Sequence, residues 1–296
     1  MYKQLSEQIK TGDIKALARA ISFIENDQPG YEDLLQSIDA SHPVNIIGIT
    51  GPPGAGKSTL VDSMISELIA GGKKIAVICV DPSSPFNFGA VLGDRIRMSQ
   101  WYIHPNVFIR SLATRGSVGG LSPKILEITD LVRSARFDSI IVETVGVGQS
   151  EIEIAGLADT TIVVLIPESG DEVQTMKAGL MEIADIFVIN KSDRPDAELF
   201  EKNLRLMTAG TGRKQVPIVK TVATEKRGIG PLIEAIKQSV NKNNNQERHL
   251  SLLTDKAWQL LVKKRMKDVN KSELKRKIEN EFKDEGFNLY SFVERL

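Results

Sequence analysis

Apolar residues in the middle of the chain come in short, continuous, β-branched runs. They are VNIIGIT from Val44, KIAVICV from Lys74, VFIRS from Val107, DSIIVET from Asp138, TIVVLI from Thr161, IFVIN from Ile186 and PIVKTV from Pro217. Most are separated by stretches with helical spacing, such as Leu60, Met64, Ile65, Leu68 and Ile69. Continuous apolar strands alternating with amphipathic helices predict a mostly parallel sheet covered on both faces. The expected fold is a three-layer α/β domain over residues 41–240, with helical extensions at both ends. Residues 1–40 read as two short helices, with breaks near Gly12-Asp13 and at NDQPGY. The polar stretch NKNNNQERH, from Asn241, reads as a linker into a helical segment over 250–296. There Trp258, Leu261, Val262, Arg265, Met266 and Val269 share one helical spacing, and Leu274, Ile278 and Phe282 form a second stripe. A single apolar seam on a charged helix needs a partner, either the same domain or a second subunit. The lysines around it, Lys263, Lys264, Lys275 and Lys277, alternate with acids and read as a solvated face.

Composition narrows the class. Lys+Arg and Asp+Glu balance at 38 each in 296 residues, so no bulk field favours nucleic acid or an anionic membrane. One cysteine excludes an internal disulfide framework, and Cys79, inside IAVICV, reads as a core residue. No apolar stretch is long enough to span a bilayer, and MYKQLSEQIK lacks the apolar segment of a signal peptide, so a cytoplasmic location is expected.

The chemistry starts at Gly51-Pro52-Pro53-Gly54-Ala55-Gly56-Lys57-Ser58, which matches G-x-x-x-x-G-K-[ST] between a strand run and the helical pattern that opens at Thr59. Such a loop turns backbone N–H groups inward around a β-phosphate, Lys57 reaches the β/γ oxygens, and Ser58 offers its hydroxyl to Mg²⁺. The fold class is therefore a P-loop NTPase. Asn190-Lys191-Ser192-Asp193 closes a later strand. The Asp193 carboxylate can accept hydrogen bonds from guanine N1–H and the 2-amino group, which adenine lacks. Lys191 would stack its stem over the base, Asn190 would tie this loop to the phosphate loop, and the backbone N–H of Ala223, in TVATEKRGI, would meet guanine O6. Bonds to a charged group contribute roughly 1.5–3 kcal/mol each, so two of them favour GTP over ATP by orders of magnitude.

Acids for the metal lie at strand ends. Asp81 closes ICVD, Asp94 follows thirteen residues on in LGDRIRM, and VETVGVGQSE places Glu143 where GTPases commonly carry Asp, with Gly146 three residues later. Ser58 with Asp81 or Asp94 would hold Mg²⁺ through oxygen or water, since Mg²⁺ takes few carboxylates and several waters. Glu143 would contact those waters or position the attacking one, and the Gly146 N–H would sense the γ-phosphate. TRGSVGGLS and PESGDEVQTMKAG look like moving segments, from which Arg115 or Lys177 would reach developing charge.

Taken together, GITGPPGAGKSTL, VDPSS, LGDRIRM, RSLATRGSVGGLS, VETVGVGQSE and NKSD resemble, in order and spacing, the MeaB/ArgK family of GTPases that includes the methylmalonic aciduria type A protein. The resemblance covers essentially the whole chain. It implies a GTPase chaperone of a cobalamin-dependent acyl-CoA mutase, above all methylmalonyl-CoA mutase, assembled as a homodimer through its C-terminal helices and using GTP/GDP and Mg²⁺. It also implies that Ser58, Asp81, Asp94 and Glu143 are the magnesium and switch residues, and that Lys177 lies in a third mobile segment. Two positions depart from the family pattern: Phe88 stands where a second glycine often precedes Gly89, and TVATEKRGI lacks the usual Ser-Ala pair. A second reading, an ATP-using kinase or ATPase associated with basic amino-acid transport, predicts ATP preference and a phosphorylated product, against which NKSD speaks. A third, a metal-insertion GTPase, needs clustered ligands, whereas His42, His104, His249 and Cys79 are widely spread.

Overall fold

The computed structural model describes residues 2–39, 43–81, 98–114, 121–144, 150–167, 178–209, 216–240, 246–266, 269–282 and 287–295. They form two compact units, residues 1–249 and 250–296. In the first, seven strands make one all-parallel sheet: β1 (Asn45–Thr50), β2 (Ile75–Asp81), β3 (Val107–Ala113), β4 (Ser139–Glu143), β5 (Thr160–Leu165), β6 (Ile186–Ile189) and β7 (Ile218–Lys220), in the order β3-β2-β4-β1-β5-β6-β7. Every apolar run singled out in the sequence is a strand. β1 lies between β4 and β5: from β1 the chain runs outward to β2 and β3 on one side, and from β4 it crosses β1 to β5, β6 and β7 on the other. The crevice beyond the C-terminal end of β1 is where open α/β sheets bind ligands.

Both sheet faces are covered, which is why the strands read as unbroken apolar runs. On one face Ile47, Ile49, Val77, Ile141, Ile162, Val164 and Val188 pack with Leu60, Met64 and Ile65 of α4 (Lys57–Ala70) and with Leu232 and Ile236 of α9 (Ile229–Val240). On the other, Val163, Leu165, Phe187 and Ile189 pack with residues of α6 (Ser150–Leu157), α7 (Ala178–Ile183) and α8 (Ala197–Ala209), among them Ala155, Leu180, Phe200 and Leu204. α5 (Ile125–Arg133) follows β3 in the chain.

Residues 2–37 form three helices rather than the expected two: α1 (Tyr2–Lys10), α2 (Ile14–Glu25) and α3 (Tyr31–Ser37). Asp13 starts α2 by accepting from the amides of Lys15 and Ala16, as an N-cap acid does. Gly30, at φ 86°, makes the left-handed turn into α3. The first unit clasps these helices with polar contacts as well. Arg110 of β3 donates to Ser22 (3.0 Å) and Glu25 (2.9 Å), and Lys124 Nζ lies 2.9 Å from Asp27 and 3.0 Å from the Tyr31 hydroxyl.

The second unit contains most of α10 (Gln246–Arg265), α11 (Lys271–Glu281) and α12 (Leu289–Glu294). Asn270 and Asn288 cap α11 and α12. Its apolar seam stays on the surface of the single chain: Trp258 is 68% and Phe282 70% exposed, with Leu261, Met266 and Val269 about half exposed. No helix among the described residues is long and apolar enough to cross a membrane.

Candidate nucleotide-binding site

The loop Gly51–Gly56 joins β1 to α4 at the crevice. Gly51 adopts φ 138°, and a side chain there would overlap the Val164 carbonyl oxygen of β5. Gly56, at φ 86°, is approached by the Asn190 side-chain amide where a Cβ would lie. Glycine is required at both positions. Lys57, buried, folds its amine back over its own loop and donates to the carbonyls of Gly51 (2.9 Å) and Pro52 (3.1 Å). The ammonium is thus held on carbonyls of its own loop.

Beside it the ends of β4 and β2 supply acids. Ser58 Oγ donates to Glu143 Oε1 at 2.7 Å, with both residues buried. Register places Cys79 of β2 opposite Glu143, so Asp81, also buried, follows two residues along at the same end of the sheet. Thr144 fixes this corner, donating its amide to Ile49 O (3.0 Å) and its hydroxyl to Thr50 Oγ1 (3.0 Å). Glu143 thus spans from the end of β4 to the first turn of α4. A serine hydroxyl with buried carboxylates is an all-oxygen donor set of the kind that suits Mg²⁺. Asp94, Gly146, Lys177 and Arg115 lie outside the described residues.

The other rim is the NKSD turn after β6. Asn190, buried, donates from Nδ2 to Ala55 O (2.9 Å), while its Oδ1 accepts from the Thr221 hydroxyl (3.1 Å) and the Ala223 amide (3.2 Å). The expected tie to the phosphate loop is therefore present. The amide expected to face guanine O6, however, is directed to Asn190. Lys191 adopts φ 54° and donates from Nζ to Gly54 O at 2.8 Å. A non-glycine residue there costs about 1–2 kcal/mol, strain that commonly marks a functional turn. Ser192 N bonds Thr221 O (3.1 Å), and Asp193 is exposed beyond it. Pro53 and Gly54, at the tip of the loop, are exposed, and Thr59 in the first turn of α4 is half-buried.

Two contributors escaped the sequence reading. Thr221 opens TVATEKRGI but was given no role there, and Ser63 carries no motif. They become visible only once β6 pairs with β7 and α4 packs under the turn after β7. Ser63, buried on α4, donates to Ala223 O at 2.6 Å.

Comparison with known proteins identifies the arrangement. The sequence pattern of the family described as methylmalonyl Co-A mutase-associated GTPase MeaB matches residues 17–278. A Pyrococcus abyssi relative that carries a provisional GTPase name is 48% identical over 248 residues, covering 80% of this chain and 76% of that one. GTPase ArgK of Escherichia coli is 39% identical over 241 residues, covering 77% and 73%. The crystal structure of a LAO/AO transport system kinase superposes with a TM-score of 0.70 at 27% identity, over 99% of this chain and 95% of that one. With a phosphate loop, a guanine-type NKSD turn and this family match over the same residues, the chain belongs to the MeaB family of guanine-nucleotide-binding GTPases.

Proposed function

We propose that this GTPase serves a cobalamin-dependent acyl-CoA mutase, most simply methylmalonyl-CoA mutase, using GTP binding and hydrolysis to time cofactor loading, protection or reactivation. The observation that carries the reading is the family match over residues 17–278, whose description names that mutase. The NKSD turn bonded to the phosphate loop supports it.

In this reading Asp193 accepts guanine N1–H and N2–H, and Lys191 covers the base with its stem. The Ala223 amide, whose 3.2 Å bond to Asn190 is at the long end for N–H···O, re-aims toward O6. Lys57 leaves the carbonyls of Gly51 and Pro52 for the β/γ oxygens, where its charge stabilises the transferring phosphoryl group. Ser58 and Asp81, with Asp94, would hold Mg²⁺, which would supply charge neutralisation to the phosphates, and Glu143 would release Ser58 and orient water. Gly146 and Lys177 complete the γ-phosphate side. The partner then distinguishes GTP and GDP forms by differential contacts. The exposed seam of the second unit, from Trp258 to Val269, is assigned to a homodimer contact.

The transport-kinase name of the similar crystal structure favours a second reading, an ATP-dependent kinase, which predicts ATP preference and a phosphorylated product. The deciding experiment is co-elution of the purified chain with methylmalonyl-CoA mutase in the presence of GDP, a non-hydrolysable GTP analogue, or neither. Nucleotide-dependent association is expected. Absence of association in all three states overturns the mutase assignment while leaving the GTPase intact.

A further inference from the structure

We propose that Ser63 is a positioning residue for purine recognition: through the Ala223 carbonyl it ties the base-reading turn to the helix that carries the phosphate-binding residues. The inference rests on the reading that Asp193 and the Ala223 turn receive guanine.

Ser63 lies inside α4, five residues after Ser58. A serine inside a helix ordinarily bonds back to the carbonyl four residues earlier, and Thr59 O is within reach at 3.0 Å. The hydroxyl has one proton to donate. The 2.6 Å approach to Ala223 O, 160 residues away in sequence, is the shorter and therefore the dominant bond. The same carbonyl accepts from Lys226 N at 3.1 Å, and the amide on the other side of Ala223 bonds Asn190 Oδ1. Both peptide groups flanking the Ala223 Cα are thus held from outside the turn. The amide that must turn toward the base lies in the Val222–Ala223 peptide held by Asn190, and Ser63 anchors the next peptide plane, so that when Asn190 lets go the amide turns about the Ala223 N–Cα bond against a fixed Ala223 carbonyl. Asn190 is the released partner in this exchange and Ser63 the retained one. A further tie between the same elements, Lys226 Nζ to Ser66 Oγ at 2.8 Å, is exposed and therefore weaker.

The consequence is specific. The Ser63 hydroxyl contributes to affinity only through guanine O6, which adenine lacks, because the phosphate loop is built from Gly51 to Ser58 without it. The test is equilibrium titration of wild type and Ser63→Ala with fluorescent GDP and ADP, with apo melting temperature measured alongside. Wild type is expected to prefer GDP. Ser63→Ala is expected to bind GDP about tenfold more weakly, equivalent to roughly 1.4 kcal/mol and in the range of one hydrogen bond. Its ADP affinity is expected to stay within about twofold of wild type, a change of under 0.5 kcal/mol. Equal weakening of both nucleotides, the mark of a merely structural role, overturns the proposal, and so does an unchanged GDP-to-ADP ratio. Either result with a GDP-preferring wild type leaves base recognition by Asp193 standing. A wild-type chain that binds GDP and ADP equally overturns both.

Discussion

The two rims of the nucleotide crevice are built differently. On the base side, Asn190 bridges three elements, Lys191 reaches Gly54, and Ser63 holds Ala223. Each of these contacts can persist when a purine arrives, the Ala223 amide excepted. On the phosphate side, Lys57 is bonded to its own loop and Ser58 to Glu143. In the proposed function these are the groups that phosphate and metal would engage, so they would change partners on binding. On that reading, specificity is largely assembled before nucleotide binds, whereas catalytic competence is assembled by it. Preorganised contacts lower the ordering cost of recognition. Exchangeable ones let the protein register which nucleotide is present.

Breaking the phosphate rim gives the largest effect. Lys57→Ala removes the charge that meets the transferring phosphoryl group, and single-turnover GTP hydrolysis is expected to fall at least about 10³-fold. Glu143→Gln keeps an oxygen for the Ser58 hydroxyl but loses the carboxylate, with an expected fall of about 10²-fold in the same assay. Glu143→Asp restores the charge yet shortens the reach across to α4. If the 2.7 Å contact sets the geometry, its hydrolysis stays well below wild type even at saturating magnesium. In both variants GDP affinity in the absence of magnesium is expected to change by less than about threefold, within roughly 0.7 kcal/mol, because the base rim is untouched.

The smallest effect comes from a control away from both rims. Asp138, just before β4, accepts from the Lys74 amide (2.7 Å) and from Lys73 (3.2 Å). The Lys74 amide chiefly, opposed by partial burial and aided by Lys73, holds its carboxyl below the ordinary value of 3.8. A depressed acid stabilises the fold above its unfolded value and loses that contribution as pH falls through the lower folded value. Asp138→Asn is therefore expected to lower Tm slightly at neutral pH, with the gap to wild type closing below about pH 4, measured by thermal melts across pH. GDP-to-ADP selectivity should not move. A selectivity change here would mean that general stability, rather than the cross-bonded rim, sets discrimination.

Much of this was legible in the chain itself. All seven strands announced themselves, because a parallel sheet buried on both faces demands unbroken apolar runs such as IAVICV. The phosphate loop and NKSD carry residue types that their backbone geometry and chemistry require. What the sequence did not disclose depends on which strands become neighbours. Ser63 looks like any small helix residue until α4 lies beneath the turn after β7. The direct bond from Ser58 to Glu143 needs β4 beside β1. The third N-terminal helix was missed because its start depends on Gly30 taking a left-handed turn rather than on an apolar period. The seam of Trp258, Leu261 and Met266 was read as needing a partner, in the same domain or in a second subunit, and these residues are exposed in the single chain.

The measurement that bears most directly on the central claim is competitive titration of wild type and Asp193→Asn with GDP and xanthosine diphosphate. Xanthine presents an oxygen where guanine has its 2-amino group. The account predicts that wild type favours GDP, and that Asp193→Asn loses about 100-fold or more in GDP affinity, the loss of two charge-assisted hydrogen bonds, while gaining affinity for xanthosine diphosphate. An Asp193→Asn protein that keeps the wild-type order of preference would contradict it.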